Sequence, residues 1–110
     1  LYLSFDEKKG LCLYLHSCDD GQSVFTLESN PVVVESRELF LRATLSGAEL
    51  QFSWSYKDGD YQNIGPVLDA SILSDDYGAR WGFTGTFVGM ACQDLKGSKT
   101  TAEFEYLEIK

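Results

Sequence analysis

Residues 48–57 alternate between apolar and polar side chains more cleanly than any other part of the chain. The even positions carry the apolar group: Ala48, Leu50, Phe52, Trp54 and Tyr56. Successive side chains of a β-strand point to opposite faces of its sheet, so a period of two predicts a strand with one buried face. Trp54 is therefore predicted to lie in the core, and the polar odd positions are predicted to face outward.

Shorter patterns of the same kind recur at a spacing of roughly 8–12 residues, which is typical of a β-sandwich or barrel. Further strands are predicted at residues 1–5, 11–18, 22–28, 32–34, 38–45, 61–64, 83–94 and 102–109. The strongest turn signal is Asp19-Asp20-Gly21, because Asp and Gly tolerate the positive φ of a tight hairpin. Residues 65–82 have no strand period and are predicted to form a long loop with one short helical turn within residues 68–76.

The composition indicates one folded domain over residues 1–110. Hydrophobic residues make up 44% of the chain and aromatic residues 14%, which argues against disorder. The net charge is −8, and a surface this acidic repels the phosphates of nucleic acids and of anionic lipids. No run of about 18 apolar residues is present that could span a membrane. Neither nucleic acid nor a membrane is an expected partner.

Three cysteines, Cys12, Cys18 and Cys92, give an odd count that leaves no complete disulfide framework and fits no zinc-site spacing. We interpret them as free thiols in a reducing compartment, which favours a cytoplasmic location. A Cys12–Cys18 bridge remains the alternative, because both side chains fall on one face of the strand predicted at residues 11–18.

Catalytic machinery is not apparent in the sequence. The one histidine, His16, lies within a predicted strand, and neither a nucleophile elbow nor a phosphate-binding loop occurs. Glycoside hydrolysis needs two opposed carboxyl groups, but most acidic residues here cluster in turns, where they are solvated. Asp69 and Asp94 lie beside apolar residues, and we interpret them as buried acceptors for the backbone N–H groups of loops.

Two features leave room for binding without catalysis. Asp75-Asp76 and Asp58-Gly59-Asp60 could contribute calcium ligands, but neither pattern has EF-hand spacing, and we expect neither a metal site nor a cofactor. The aromatic residues Tyr77, Trp81 and Phe83 fall in or beside the long loop. There they either anchor the loop or contact a ligand or partner.

Two stretches resemble a known family: QFSWSYKDGDYQNIGPVLDASILSDDY, at residues 51–77, and RWGFTGTFVGMACQDLKGSKTTAEFEYLEIK, at residues 80–110. The most specific part is GFTGTFVGMACQDL, at residues 82–95. These stretches are similar to the C-terminal module of family-43 glycoside hydrolases, the β-xylosidase and arabinofuranosidase group, and the resemblance covers essentially the whole chain. It implies an all-β, jelly-roll, concanavalin A-like antiparallel β-sandwich.

The resemblance also implies a role and a site. Members of the family carry three catalytic acids on a five-bladed propeller, and this module packs against the propeller. One loop of the module leans toward the active-site mouth with an aromatic residue that narrows the pocket. Phe83 is the matching position, with Trp81, Arg80 and Tyr77 in the same loop. The implied function is an accessory module that shapes the pocket of a bacterial β-xylosidase for xylo-oligosaccharides.

Two other functions remain open, namely an independent carbohydrate-binding module and a domain that mediates assembly of the parent enzyme. The resemblance implies a module longer than this chain, and we expect roughly its first half to be absent here. The chain also begins at Leu1, inside a predicted strand, so we expect it to be the C-terminal part of a larger hydrolase. A jelly roll that lacks strands has unpaired sheet edges, and we therefore expect self-association through those edges.

Overall fold

The structure is a computed structural model, and it describes residues 1–74 and 86–110. Its elements, in chain order, are β1 (Tyr2–Asp6), β2 (Gly10–Tyr14), β3 (His16–Asp19), β4 (Gln22–Phe25), β5 (Val32–Val33), β6 (Phe40–Ser46), β7 (Glu49–Ser55), β8 (Gln62–Asp69) and a 3-10 helix, η1 (Ala70–Leu73). Every strand pair in the described residues is antiparallel, which confirms the predicted all-β class. No helix in these residues is long and apolar enough to cross a membrane.

The described strands form two sheets of three strands, in the orders β1-β2-β5 and β6-β7-β8, and a separate β3-β4 hairpin. Leu13 of β2, Val34 after β5, Trp54 of β7 and Ile64 of β8 form one buried cluster, so the two larger sheets pack against each other. Trp54 is 5% exposed, which confirms its predicted place in the core. Its ring meets the ring of Tyr56 edge-on, with centroids 5.0 Å apart.

The segment predicted as one strand at residues 11–18 is two strands, and it breaks at Leu15, which is buried. Before the break, β2 belongs to the β1-β2-β5 sheet, whereas after it β3 pairs with β4 in the separate hairpin. The turn between β3 and β4 holds Asp20 and Gly21 at φ values of 49° and 76°. Positive φ at both central residues fits a type I′ turn and confirms the predicted Asp-Gly hairpin.

The break at Leu15 also separates two cysteines that the sequence places on one face of one strand. Cys12 is buried in β2, whereas Cys18 is exposed in β3. Both are free thiols, as is the exposed Cys92. The alternative of a Cys12–Cys18 bridge is therefore wrong for this structure.

β8 extends five residues beyond Ile64, where the sequence predicts that the strand ends. The pairing with β7 shifts there: Phe52 lies opposite Ile64, but Leu50 lies opposite Leu68. The extra residues form a bulge, and the Gln51 side chain spans it by donating from Nε2 to the carbonyl oxygens of Ile64 and Gly65, both at 3.3 Å. A bulge interrupts the alternation of side chains, which is why the sequence pattern appears to stop.

Residues 86–110 form no strand, so the strands predicted at residues 83–94 and 102–109 are wrong for the part that the structure describes. Their large side chains are open to solvent, and Phe87 is 95% exposed. A strand is stable only beside a partner, and no described strand pairs with these residues. The predicted helical turn within residues 68–76 is confirmed as η1.

Gly65 cannot carry a side chain without disturbing the core. Its φ is +73°, and a Cβ added there would lie 2.8 Å from Cδ2 of the buried Leu15. We expect Gly65→Ala to lower the free energy of unfolding by about 2–4 kcal/mol, since backbone strain and overpacking add together. Urea unfolding followed by circular dichroism measures this change.

Gly21→Ala is the matched control, because Gly21 has nearly the same φ, +76°, and nothing lies within 4 Å of an added Cβ. Only the backbone strain remains there, and the expected loss is about 1–2 kcal/mol. Equal losses for the two variants would contradict a role for the contact with Leu15.

Candidate functional site

The four residues predicted for the pocket loop, Tyr77, Arg80, Trp81 and Phe83, lie outside the described residues. The structure does describe the two flanks of that loop, which are held together. Thr86 Oγ1 donates to the carbonyl oxygen of Leu73 at 2.7 Å. Both flanking segments are therefore fixed at one end of the β6-β7-β8 sheet.

Helix η1 positions the first flank. Its N-cap is Asp69, whose Oδ1 accepts from the backbone N–H of Ser71 at 2.9 Å. The backbone N–H of Ala70 donates to the carbonyl oxygen of Ala48 at 2.7 Å, which ties the start of η1 to the residue before β7. A capped helix start tied to a sheet fixes the direction in which the chain leaves toward residue 75.

An open depression of about 420 Å³ lies between the two flanks and the turn that joins β6 to β7. Leu45, Gly47, Ala48, Ala70, Ser71, Leu73, Ser74 and Thr86 line it. The lining is mostly apolar, which suits an apolar side chain or the apolar face of a sugar ring better than an ion. Among residues 1–74 and 86–110, no charged side chain belongs to this lining.

Asp69 and Asp94 act as backbone acceptors, as predicted, but both are exposed, which corrects the prediction that they are buried. Asp94 accepts from the backbone N–H groups of Lys96, Ser98 and Lys99, at 3.3, 3.1 and 2.9 Å. A turn can satisfy its own N–H groups through an Asp side chain at the surface, so burial is not needed. This turn lies beside the β1-β2 turn, where Lys96 Nζ is 3.8 Å from Glu7 Oε1.

Hydrogen bonds of this kind lower the pKa of three carboxyl groups, those of Asp6, Asp69 and Asp94. Hydrogen bonds from the Lys8 and Lys9 N–H groups lower the pKa of Asp6, and hydrogen bonds from Ser71 lower the pKa of Asp69. The N–H of Lys99 is the largest cause of the lowered pKa of Asp94. A catalytic acid needs a raised pKa, so these three carboxylates are suited to holding turns and unsuited to donating protons.

His16 and Asp58, two further polar residues singled out in the sequence, have side-chain partners. The ring of His16 stacks on Phe25 with centroids 4.4 Å apart, and its Nε2 lies 3.1 Å from Ser23 Oγ, so it belongs to the β3-β4 hairpin. Asp58 Oδ1 accepts from the Tyr61 hydroxyl at 3.1 Å. Within residues 1–74 and 86–110, no three His, Cys, Asp or Glu side chains come together as a metal site, and Asp75-Asp76 lies outside them.

Sequence reasoning missed a second cluster, on the face of the β6-β7-β8 sheet opposite Trp54. Ser53 and Ser55 are predicted to face outward, but each is only 2% exposed. Arg42 Nε donates to Ser53 Oγ, and the Arg42 guanidinium lies 4.0 Å from the centre of the Tyr61 ring, whereas Ser55 Oγ is hydrogen-bonded to the backbone of Lys57. The sequence signal for this cluster is a pair of small residues on the central strand, Ser53 and Ser55. Arg42 and Tyr61 become neighbours only once the strands are paired, so the sequence pattern alone does not reveal their contact.

The whole chain, residues 1–110, matches the family described as the β-xylosidase C-terminal concanavalin A-like domain. The chain belongs to this family. The resemblance carried by residues 51–77 and 80–110 is thereby confirmed, together with the concanavalin A-like fold class and the β-xylosidase context.

Relatives of this concanavalin A-like domain are much longer proteins. The β-xylosidase of Bacillus subtilis (strain 168) is 35% identical over 114 residues, covering 100% of this chain and 21% of that protein. Xylosidase/arabinosidase 43B of Humicola insolens is 46% identical over 69 residues, covering 60% of this chain and 13% of that protein. The chain thus spans no more than about a fifth of these relatives.

A solved structure agrees with the family match. The crystal structure of xylan β-1,4-xylosidase from Bacillus halodurans C-125 aligns with a TM-score of 0.77 and 30% sequence identity. The alignment covers 88% of this chain and 19% of that one. The fold seen here is therefore that of the C-terminal part of a larger xylosidase chain.

The lowered pKa values predict how stability depends on pH. A carboxylate whose pKa is lower in the folded state stabilises the fold above its unfolded pKa, about 3.9 for Asp, and this contribution is lost as pH falls through the folded value. We expect Asp94→Asn to lower the melting temperature at pH 7. We also expect the variant to lose less stability than the parent on acidification below about pH 4.

Asp60→Asn is the control, because it removes one negative charge from another exposed turn. Thermal melts of the three proteins between pH 2 and 7 distinguish the two effects. Parallel pH profiles for Asp94→Asn and Asp60→Asn would show that net charge, and not the turn at residues 94–99, controls acid stability.

Proposed function

We propose that this chain is the accessory C-terminal module of a β-xylosidase-type glycoside hydrolase and that it serves a catalytic domain located elsewhere in the parent protein. The observation that carries the proposal is the match of residues 1–110 to the family of β-xylosidase C-terminal domains. The much greater length of the relatives supports a catalytic partner outside this chain. The three lowered carboxyl pKa values are also consistent with a non-catalytic module.

The proposed action is steric. The module packs on the catalytic propeller, and the loop carrying Phe83, Trp81, Arg80 and Tyr77 closes one side of the substrate pocket. Support comes from the flanks of that loop, because the Thr86–Leu73 hydrogen bond and the capped η1 hold its ends on the sheet. A fixed pair of ends limits where the loop can reach, as a pocket wall requires. Such a wall favours short xylo-oligosaccharides cleaved from the chain end.

Replacing Phe83 by Ala in the full-length enzyme tests this action. Losing an apolar pocket wall reduces transition-state stabilisation by on the order of 1–3 kcal/mol, which appears as a lower kcat/KM for xylobiose and xylotriose. Steady-state kinetics with both substrates measures the change.

Phe87→Ala is the matched control, because Phe87 lies four residues further along the same segment and its ring is almost fully exposed. We expect it to leave kcat/KM near the parent value. Unchanged kinetics for Phe83→Ala would remove Phe83 from the pocket, whereas equal losses in both variants would indicate a general effect on folding.

A second role, in assembly, is favoured by apolar side chains that the sheets leave uncovered. Leu41 and Leu45 of β6 share the face of Trp54, yet Leu45 is 60% exposed. β6 is also an edge strand of its sheet in the described part, so its outer backbone groups are open to pairing. We propose that this chain self-associates through β6.

Light scattering at increasing concentration tests self-association. We expect a species larger than one chain, and we expect Leu45→Lys to shift the population toward the monomer because a charge would be buried in the contact. Leu95→Lys is the control, since Leu95 is an exposed leucine outside the sheets. A monomer at every concentration would contradict the proposal.

We also propose that residues 1–110 act as one domain of the parent and that the parent is a bacterial cytoplasmic protein. The three free thiols support a reducing compartment. Separating soluble from secreted fractions of the source cells and probing for the parent protein tests the location.

A further inference from the structure

The face of the β6-β7-β8 sheet opposite Trp54 carries a cluster of contacting side chains, Arg42, Ser53 and Tyr61, that has no part in the proposed accessory role. Side chains that lie directly opposite in antiparallel strands share a face. Arg42 is opposite Ser53, and Ser53 is opposite Asn63, so these three form one row across the sheet. Phe40 is opposite Ser55 in the next row. We call this surface, with Tyr61 and Tyr106, the outer face.

Arg42 is held in a defined position on the outer face. Its Nε donates to Ser53 Oγ at 3.1 Å, and its guanidinium stacks on the Tyr61 ring at 4.0 Å. Ser53 on the central strand is short enough for the long Arg42 side chain to bind above it, which is consistent with its burial. The Tyr61 hydroxyl is in turn bound to Asp58. A guanidinium fixed at both Nε and its planar face loses little freedom when it binds a ligand.

Polar and aromatic side chains that could contact a ligand surround the Arg42 guanidinium. Within the residues that the structure describes, the Arg42 Nη groups make no hydrogen bond, and the side chain is exposed. Asn63 in the same row and Thr44 on the same face are exposed and add an amide and a hydroxyl. Tyr106 lies beside Phe40, with ring centroids 6.3 Å apart, and 51% of it is open to solvent.

The charge around Arg42 argues for a neutral ligand. A guanidinium fork binds a carboxylate, a phosphate or a pair of adjacent hydroxyl oxygens. Asp58 lies at this cluster, and the whole chain has a net charge of −8, so an anion would be repelled. Adjacent hydroxyls carry no such penalty, and the apolar C–H face of a sugar ring fits an exposed aromatic side chain.

We propose that the outer face binds a neutral saccharide, whose adjacent hydroxyls accept from the Arg42 Nη groups and whose ring stacks on Tyr106. This surface lies at the end of the sheet that holds Phe40 and Ser55. The depression beside the pocket loop lies at the opposite end, by Leu45 and Gly47. The proposal therefore does not depend on the loop or on Phe83, and it adds a second sugar contact to the module.

Isothermal titration calorimetry of this chain, residues 1–110, with xylohexaose, cellohexaose and an arabinan hexasaccharide tests the proposal. We expect saturable binding of at least one of them, weakened roughly tenfold or more in Arg42→Gln, since hydrogen bonds from a charged donor are the strong ones. Arg37→Gln is the matched control, because Arg37 is exposed and lies outside the β6-β7-β8 sheet; we expect it to retain the parent affinity.

Two further variants keep the test decisive if Arg42→Gln perturbs the sheet. Asn63→Ala and Tyr106→Ala change exposed side chains, and we expect both to weaken binding in proteins whose circular dichroism matches that of the parent. Phe87→Ala should leave this affinity unchanged, because Phe87 is an exposed aromatic residue outside the β6-β7-β8 sheet.

Three results would overturn the inference. The first is the absence of saturable binding by any of the three neutral hexasaccharides to the folded chain. The second is equal affinity in Arg42→Gln, Asn63→Ala and the parent, which would place the sugar elsewhere. The third is tighter binding of an acidic galacturonan hexasaccharide than of the neutral ones, because that would show that the Arg42 guanidinium binds a carboxylate in preference to neutral hydroxyls.

Discussion

The contact between two sheets through Leu13, Val34, Trp54 and Ile64 is the constraint on which the rest of the structure depends. Each of these residues comes from a different stretch of the chain, so the cluster closes long loops as it forms. Removing water from these apolar side chains is the main favourable contribution to holding the sheets together. The turns and polar contacts then fix details that this cluster leaves open.

Three residues, Gly65, Gln51 and Leu15, accommodate the bulge in β8 that follows Ile64. The bulge in β8 needs a positive φ, which Gly65 supplies, and it leaves carbonyl oxygens that the Gln51 amide satisfies. Leu15 fills the space above Gly65, at the point where β2 gives way to β3. The break in one sheet and the bulge in the other are thus packed against each other, and neither can be changed alone.

Sequence reasoning predicted what local pattern controls and missed what pairing controls. The alternation through Trp54 and the Asp20-Gly21 turn are local signals, and both were confirmed. The second half of β8 was missed because Gly65 and Pro66 hide the period of two. Residues 102–109 have a strand pattern, but a pattern cannot supply the neighbouring strand. The Arg42–Tyr61 pair could not be predicted because these residues are 19 positions apart and become neighbours only once β6, β7 and β8 are paired.

The burial of Trp54 has an optical consequence. The chain contains two tryptophans, Trp54 and Trp81, and an indole enclosed by leucine, valine and isoleucine side chains emits at short wavelength and is shielded from aqueous quenchers. Trp54 thus contributes a steady blue background that reports whether the two sheets remain packed. Any part of the emission that iodide quenches in the native protein belongs to Trp81. One spectrum can therefore follow the integrity of the core and the surroundings of the pocket loop separately.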